Sequence, residues 1–74
     1  MSKEKGDIRI GQRAFEEIHR LFPSIGTAVT RSRCSKQAIY AWRDGSIPDG
    51  INLARLHYAG ADVIYILTGK RTGG

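Results

Sequence analysis

A chain of 74 residues is one small domain and lacks the length of most elaborate enzymes. Twelve Lys and Arg against seven Asp and Glu give a formal charge of +5, which favours an anionic partner, nucleic acid first, over a cationic one. With 41% apolar and 26% charged residues, the composition is that of a folded globular domain and excludes a disordered, collagen-like or membrane-embedded chain.

Residues 1–7 are largely polar, carry charges of both signs and include Gly6, so 1–9 read as a flexible basic arm ahead of a domain spanning 10–69. From Ile10 the apolar residues Ile10, Ala14, Ile18 and Leu21 recur at helical spacing with Phe15 and Phe22 beside them. Arg13, Glu16, Glu17 and Arg20 fill the other side, which predicts a first helix over about 10–22. Pro23 stops it, and Ser24 is placed to cap a second helix over about 25–31. After Ser32-Arg33-Cys34, Ser35 caps a third helix that runs from Lys36 to Asp44 and ends before Gly45.

On that third helix, Ala38, Ile39 and Trp42 share one stripe, while Gln37, Tyr40, Ala41 and Asp44 share the opposite one with Lys36 on its flank. One face is core and the other is free. A fourth helix starts at Pro48-Asp49, carries Leu53, Leu56 and Ala59, and stops at Gly60. Asp62 caps a fifth, in which Val63, Ile64, Tyr65, Ile66 and Leu67 follow without interruption before Gly69. Five apolar residues in barely two turns cannot all face one core, so these residues are expected to form a homodimer interface. A small domain with no disulfide or metal staple gains from such a partner. Residues 70–74 read as a flexible tail. The expected architecture is all-α, a compact five-helix domain.

The second helix, a short turn and the third helix form a pair suited to the DNA major groove, which admits one helix and displays base-edge donors and acceptors to its leading turns. Gln37 can donate and accept together against an adenine edge, and Lys36 can reach guanine acceptors. Tyr40 and Ala41 lie one turn further on, where a ring or a methyl meets a thymine methyl. Around this face Arg31, Arg33, Lys36 and Arg43 follow one another with no intervening acid, an arrangement fit for phosphates. Ser24, Thr27 and Ser35 stand at helix starts, where free backbone N–H groups and the positive dipole end also suit phosphate. Lys3, Lys5 and Arg9 of the arm are placed to add phosphate or minor-groove contacts.

The segment Cys34-Ser35-Lys36-Gln37-Ala38-Ile39-Tyr40-Ala41-Trp42-Arg43-Asp44-Gly45, followed by Ile47-Pro48, resembles the turn and recognition helix of the lambda-repressor and Cro type of helix-turn-helix domain, with its Trp-x-x-Gly ending. Gly60-Ala61-Asp62-Val63-Ile64-Tyr65-Ile66-Leu67-Thr68-Gly69 is similar to the closing helix of many phage-repressor relatives. The resemblance covers most of the chain. It implies a lambda-repressor-like domain that regulates transcription, as a phage or prophage repressor or Cro-like protein does, by binding a near-palindromic operator as a dimer. It places Ile39 and Trp42 against the second helix, Cys34 at the apolar position after the turn, and Lys36, Gln37 and Ala41, with Tyr40 beside them, at base-contacting positions. Two departures stand out: Arg33 occupies the turn position usually held by glycine, which points to a rebuilt or shifted turn, and Val29, after Ala28, stands where a small alanine is usual.

No catalytic constellation is evident, and no enzymatic step is expected. His19, His57 and Cys34 lack both nucleophile–base and metal-ligand spacing, and Cys34 reads as a small core residue. Gly69-Lys70-Arg71-Thr72 echoes the end of a phosphate-binding loop, but Ile64 stands where the preceding glycine is required. No cofactor, metal or small-molecule ligand is therefore expected. The charged start and the lack of a long apolar run lead to the expectation of a cytoplasmic protein with no membrane contact, associated with the nucleoid. An alternative keeps the same fold as a protein-interaction module, antitoxin-like or adaptor, with only weak nonspecific DNA binding. A third reading is a nonspecific architectural DNA binder.

Overall fold

The computed structural model describes the backbone of residues 2–71 and the side chains of residues 9–71. Among them are five helices and no strand: α1 (Ser2–Leu21), α2 (Ile25–Ser32), α3 (Lys36–Arg43), α4 (Gly50–Tyr58) and α5 (Val63–Thr68). Each helix after the first begins at a side chain that accepts a backbone N–H one turn in: Ser24 from Thr27 (3.1 Å), Ser35 from Ala38 (3.0 Å), Asp49 from Asn52 and Asp62 from Tyr65 (both 2.9 Å). Such caps satisfy donors that the first helical turn leaves without partners. No helix among the described residues is long and apolar enough to cross a membrane.

One boundary differs widely from expectation, and two by a single residue: Asp44 and Ala59, expected inside α3 and α4, are the residues that cap their ends. α1 starts at Ser2, so residues 2–9, expected to be a flexible arm, continue the helix backbone by two turns. Lys, Glu and Arg are strong helix formers, and their propensity outweighs the single Gly6 once the following turns are docked. The contacts expected of Lys3 and Lys5 lie outside the described side chains, and residues 72–74 of the expected tail lie outside the described residues.

α1 is the central element. It makes its most extensive contacts with α3 and α5 and also touches α2, while α2 reaches α3 and α4. Ala14 and Ile18 of α1, Ala28 of α2, Ile39 and Trp42 of α3, Leu56 of α4 and Ile66 of α5 form one buried core with Cys34 and Ala61. Gly11 permits the close crossing of α1 over the end of α3. A Cβ built there would stand 2.0 Å from the Ser46 carbonyl oxygen and 2.9 Å from that of Trp42, both backbone atoms. The crossing in turn fixes which face of α3 is left outward.

The turn between α2 and α3, expected to be rebuilt or shifted because Arg33 stands in it, is neither: the left-handed residue stays at position 33. Arg33 itself takes φ 68, ψ 8, and its N–H bonds the Val29 carbonyl at 2.9 Å. The buried Ser32 hydroxyl completes the turn, donating to the Ala28 carbonyl (2.7 Å) and accepting the Cys34 N–H (3.1 Å). Ala28 is fully buried and Val29 only partly, so the closest approach of α2 to the core falls on the small residue.

Candidate nucleic-acid interface

With Ile39 (0% exposed) and Trp42 (2%) set in the core, the opposite face of α3 faces solvent. There Lys36, Gln37, Tyr40, Ala41 and Asp44 line a shallow open concavity of about 450 Å³. Lys36 and Gln37 are exposed on the leading turn, while Tyr40 and Ala41 are half-buried behind them. The Tyr40 ring leans on Phe15 of α1 at 6.4 Å between centroids, which steadies it. The Arg43 guanidinium lies 5.0 Å from the Tyr40 ring centre and also pairs with Asp44 at 3.3 Å. All four residues predicted to read bases are thus brought together, and Asp44 adds an acidic group at the trailing end.

The residues predicted to meet phosphates fall in three places. Arg31, Arg33, Ser35 and Lys36 cluster around the turn, all exposed, and Arg43 lies at the far end of α3. Ser24 stands at the other end of α2, about 12 Å from the turn by helical rise, with Thr27 most of a turn closer. The Ser24 hydroxyl accepts the Thr27 N–H and donates to the Thr27 hydroxyl oxygen (both 3.1 Å), and the Ser35 hydroxyl oxygen is likewise engaged as a cap. At these starts it is the first-turn backbone, more than the serine hydroxyls, that is left for an anion. Sequence reasoning missed Arg55 of α4, whose Nη1 donates to the Arg33 carbonyl at 3.2 Å and brings a further cation beside the turn. No local pattern signals this contact, because it joins residues 22 apart through the tertiary fold.

The residues predicted for a dimer seam are not equivalent. Ile66 is fully buried in the core, a correction to its place in the interface. Val63 and Tyr65 are half-buried, and the Tyr65 hydroxyl donates to Glu16 while the Arg71 guanidinium sits 3.8 Å over its ring. Only Ile64 (50%) and Leu67 (42%) are substantially exposed, because a helix docked through Ile66 turns those two outward. The sequence reading missed a second apolar stripe on α4, where Ile51 is 65% and Tyr58 86% exposed. Their seven-residue spacing, two turns of helix, is the signal that could have revealed it.

Glu17, expected on the polar side of α1, is instead fully buried. Its carboxylate accepts Arg20 twice (2.9 and 2.8 Å), the Asp62 backbone N–H (2.9 Å) and Arg71 (2.7 Å). Burial alone would raise its pKa, but these donors outweigh it and hold the group at about 2. Beside it, Arg13 donates to the Ile66 carbonyl at 2.9 Å, so α1 grips both ends of α5. Cys34 is buried, and burial pushes its thiol up from the ordinary value, which disfavours the reactive thiolate.

Compared with protein-family models, with curated proteins and with solved structures, the chain matches none.

Proposed function

We propose that this chain is a sequence-specific, double-stranded DNA-binding transcriptional regulator of the helix-turn-helix class, resembling phage repressors and Cro-like proteins. It performs no enzymatic step and acts in the cytoplasm on nucleoid DNA. The observation that carries this is the outward face of α3: Lys36, Gln37, Tyr40 and Ala41 converge on one open concavity while Ile39 and Trp42 anchor the helix behind them. α3 enters the major groove, Gln37 reads an adenine edge, and Lys36 takes a guanine acceptor or a phosphate. Arg31 and Arg43 meet the flanking backbone. Two copies, joined through Ile64 and Leu67, occupy a near-palindromic operator with half-sites about one helical turn apart, and exclude polymerase from the same DNA.

The test is selection of bound duplexes from a random-sequence pool at near-physiological salt. Enrichment of a two-fold symmetric site is expected. A second reading, a protein-interaction module, is favoured by the apolar exposure of Ile51 and Tyr58 on α4. It predicts no enriched motif, and binding that fades as salt rises.

A further inference from the structure

Among the described residues, four have positive φ: Gly45 (108), Gly60 (103), Gly69 (83) and Arg33 (68). Glycine takes these angles freely, whereas a residue with a Cβ is strained there. Arg33 is the exception, and among the described residues no hydrogen bond, ion pair or ring contact holds its side chain. Its N–H bonds Val29 and its carbonyl accepts from Arg55, both backbone functions that glycine would serve equally. Its exposed guanidinium makes no hydrogen bond or ion pair with any described residue. It instead adds charge where Arg31, Lys36 and Arg55 already stand, and like charges so gathered are favourable only when an anion joins them.

We propose that Arg33 is a phosphate-binding residue whose strained backbone trades fold stability for affinity to the DNA backbone, a step that rests on the DNA-binding reading above. Arg33 stands in the turn of the helix pair, two residues before the Ser35 cap of α3, and its exposed guanidinium takes a phosphate at the rim of the groove that α3 enters. The contact is blind to sequence, since a phosphate carries no base information. It adds to the salt-dependent part of binding and leaves base discrimination to Lys36, Gln37, Tyr40 and Ala41.

The test compares the 74-residue protein with Arg33→Gly, Arg33→Gln and Arg33→Lys on a random-sequence duplex across a salt series, with thermal melts alongside. Loss of one phosphate contact should weaken binding about three- to tenfold and reduce the magnitude of the log–log salt slope by about 0.9 in both the Gly and Gln variants. Lys should retain most of the slope. Gly alone should raise the melting temperature, by about 2–6 °C, because it alone relieves the left-handed strain. Unchanged affinity and slope in the Gly and Gln variants would overturn the proposal, as would a Gly variant no more stable than wild type. A wild-type protein that binds random duplex but enriches no site refutes the sequence-specific reading alone. One that binds no duplex at all refutes both.

Discussion

Glu17 holds a full charge without solvent contact because four donors converge on its two oxygens, and this makes it the most consequential polar residue of the fold. Its pKa is lowered from 4.5 to about 2 in the folded protein. The stability it contributes is therefore fully present above about pH 4.5 and is lost as the pH falls toward 2, and the linkage amounts to about 3 kcal/mol. Glu17→Gln should be destabilised by about that amount at neutral pH, with the gap to wild type closing between about pH 4.5 and 2. Urea unfolding at several pH values checks this, and parallel stability curves would disprove it. Helical spacing sets Glu17 on the apolar stripe of α1, three residues after Ala14 and four before Leu21, and only its charge made it read as a polar-side residue; what the sequence hid is that Arg71 and the start of α5 fold back over it to satisfy the carboxylate. Gln37 is the opposite case. Its exposure on the leading turn of α3 follows from local pattern alone, since Ile39 and Trp42 set the register. Gln37→Ala should cost about 1–3 kcal/mol on the selected operator and relax discrimination at one base pair, with folding untouched. Equal loss on every duplex would instead make Gln37 a backbone contact.

At the scale of the element, Gly11 decides how α3 is presented. The Ser46 and Trp42 carbonyls that a Cβ would meet are main-chain atoms, so no rotamer change can relieve the clash. Either α1 tilts or the turn after α3 shifts. Gly11→Ala should lose about 3 kcal/mol or more despite alanine's better helix propensity. Gly50→Ala is the matched control, because nothing lies within 4 Å of its added methyl, and it should be neutral or stabilising by up to about 1 kcal/mol. Urea unfolding followed by Trp42 fluorescence reads both, and two variants of equal stability would remove the close crossing from the account. The starts of α2, α3 and α5 were legible in sequence because Ser24, Ser35 and Asp62 announce them by capping chemistry, and that of α4 because Pro48-Asp49 marks it. The start of α1 was not. Periodicity reports a helix through its apolar stripe, and the largely charged residues 2–9 offer almost none.

At the scale of the whole molecule, the DNA-binding reading proposed above makes the two exposed residues of α5 the surface on which assembly turns. Ile64 and Leu67 lie three residues apart and about half exposed, so a seam built on them buries far less than the roughly 800 Å² per partner of a standard stable interface. The free protein is therefore expected to be monomeric at micromolar concentration and to pair on the operator, where DNA holds two copies side by side at high effective concentration. Sedimentation of the protein alone and with a full-length operator duplex should show monomer and a 2:1 complex respectively. Replacing Ile64 and Leu67 together with Asp should leave the fold intact, since neither is in the core, while the binding curve loses its cooperativity and half-site affinity stays unchanged. The same change at Ile51 and Tyr58 of α4 should leave cooperativity as it is. If the α4 variant is the one that loses cooperativity, the seam lies on α4. If both variants remain cooperative, the pairing is carried by the DNA itself, through deformation that one bound copy imposes on the site of the next.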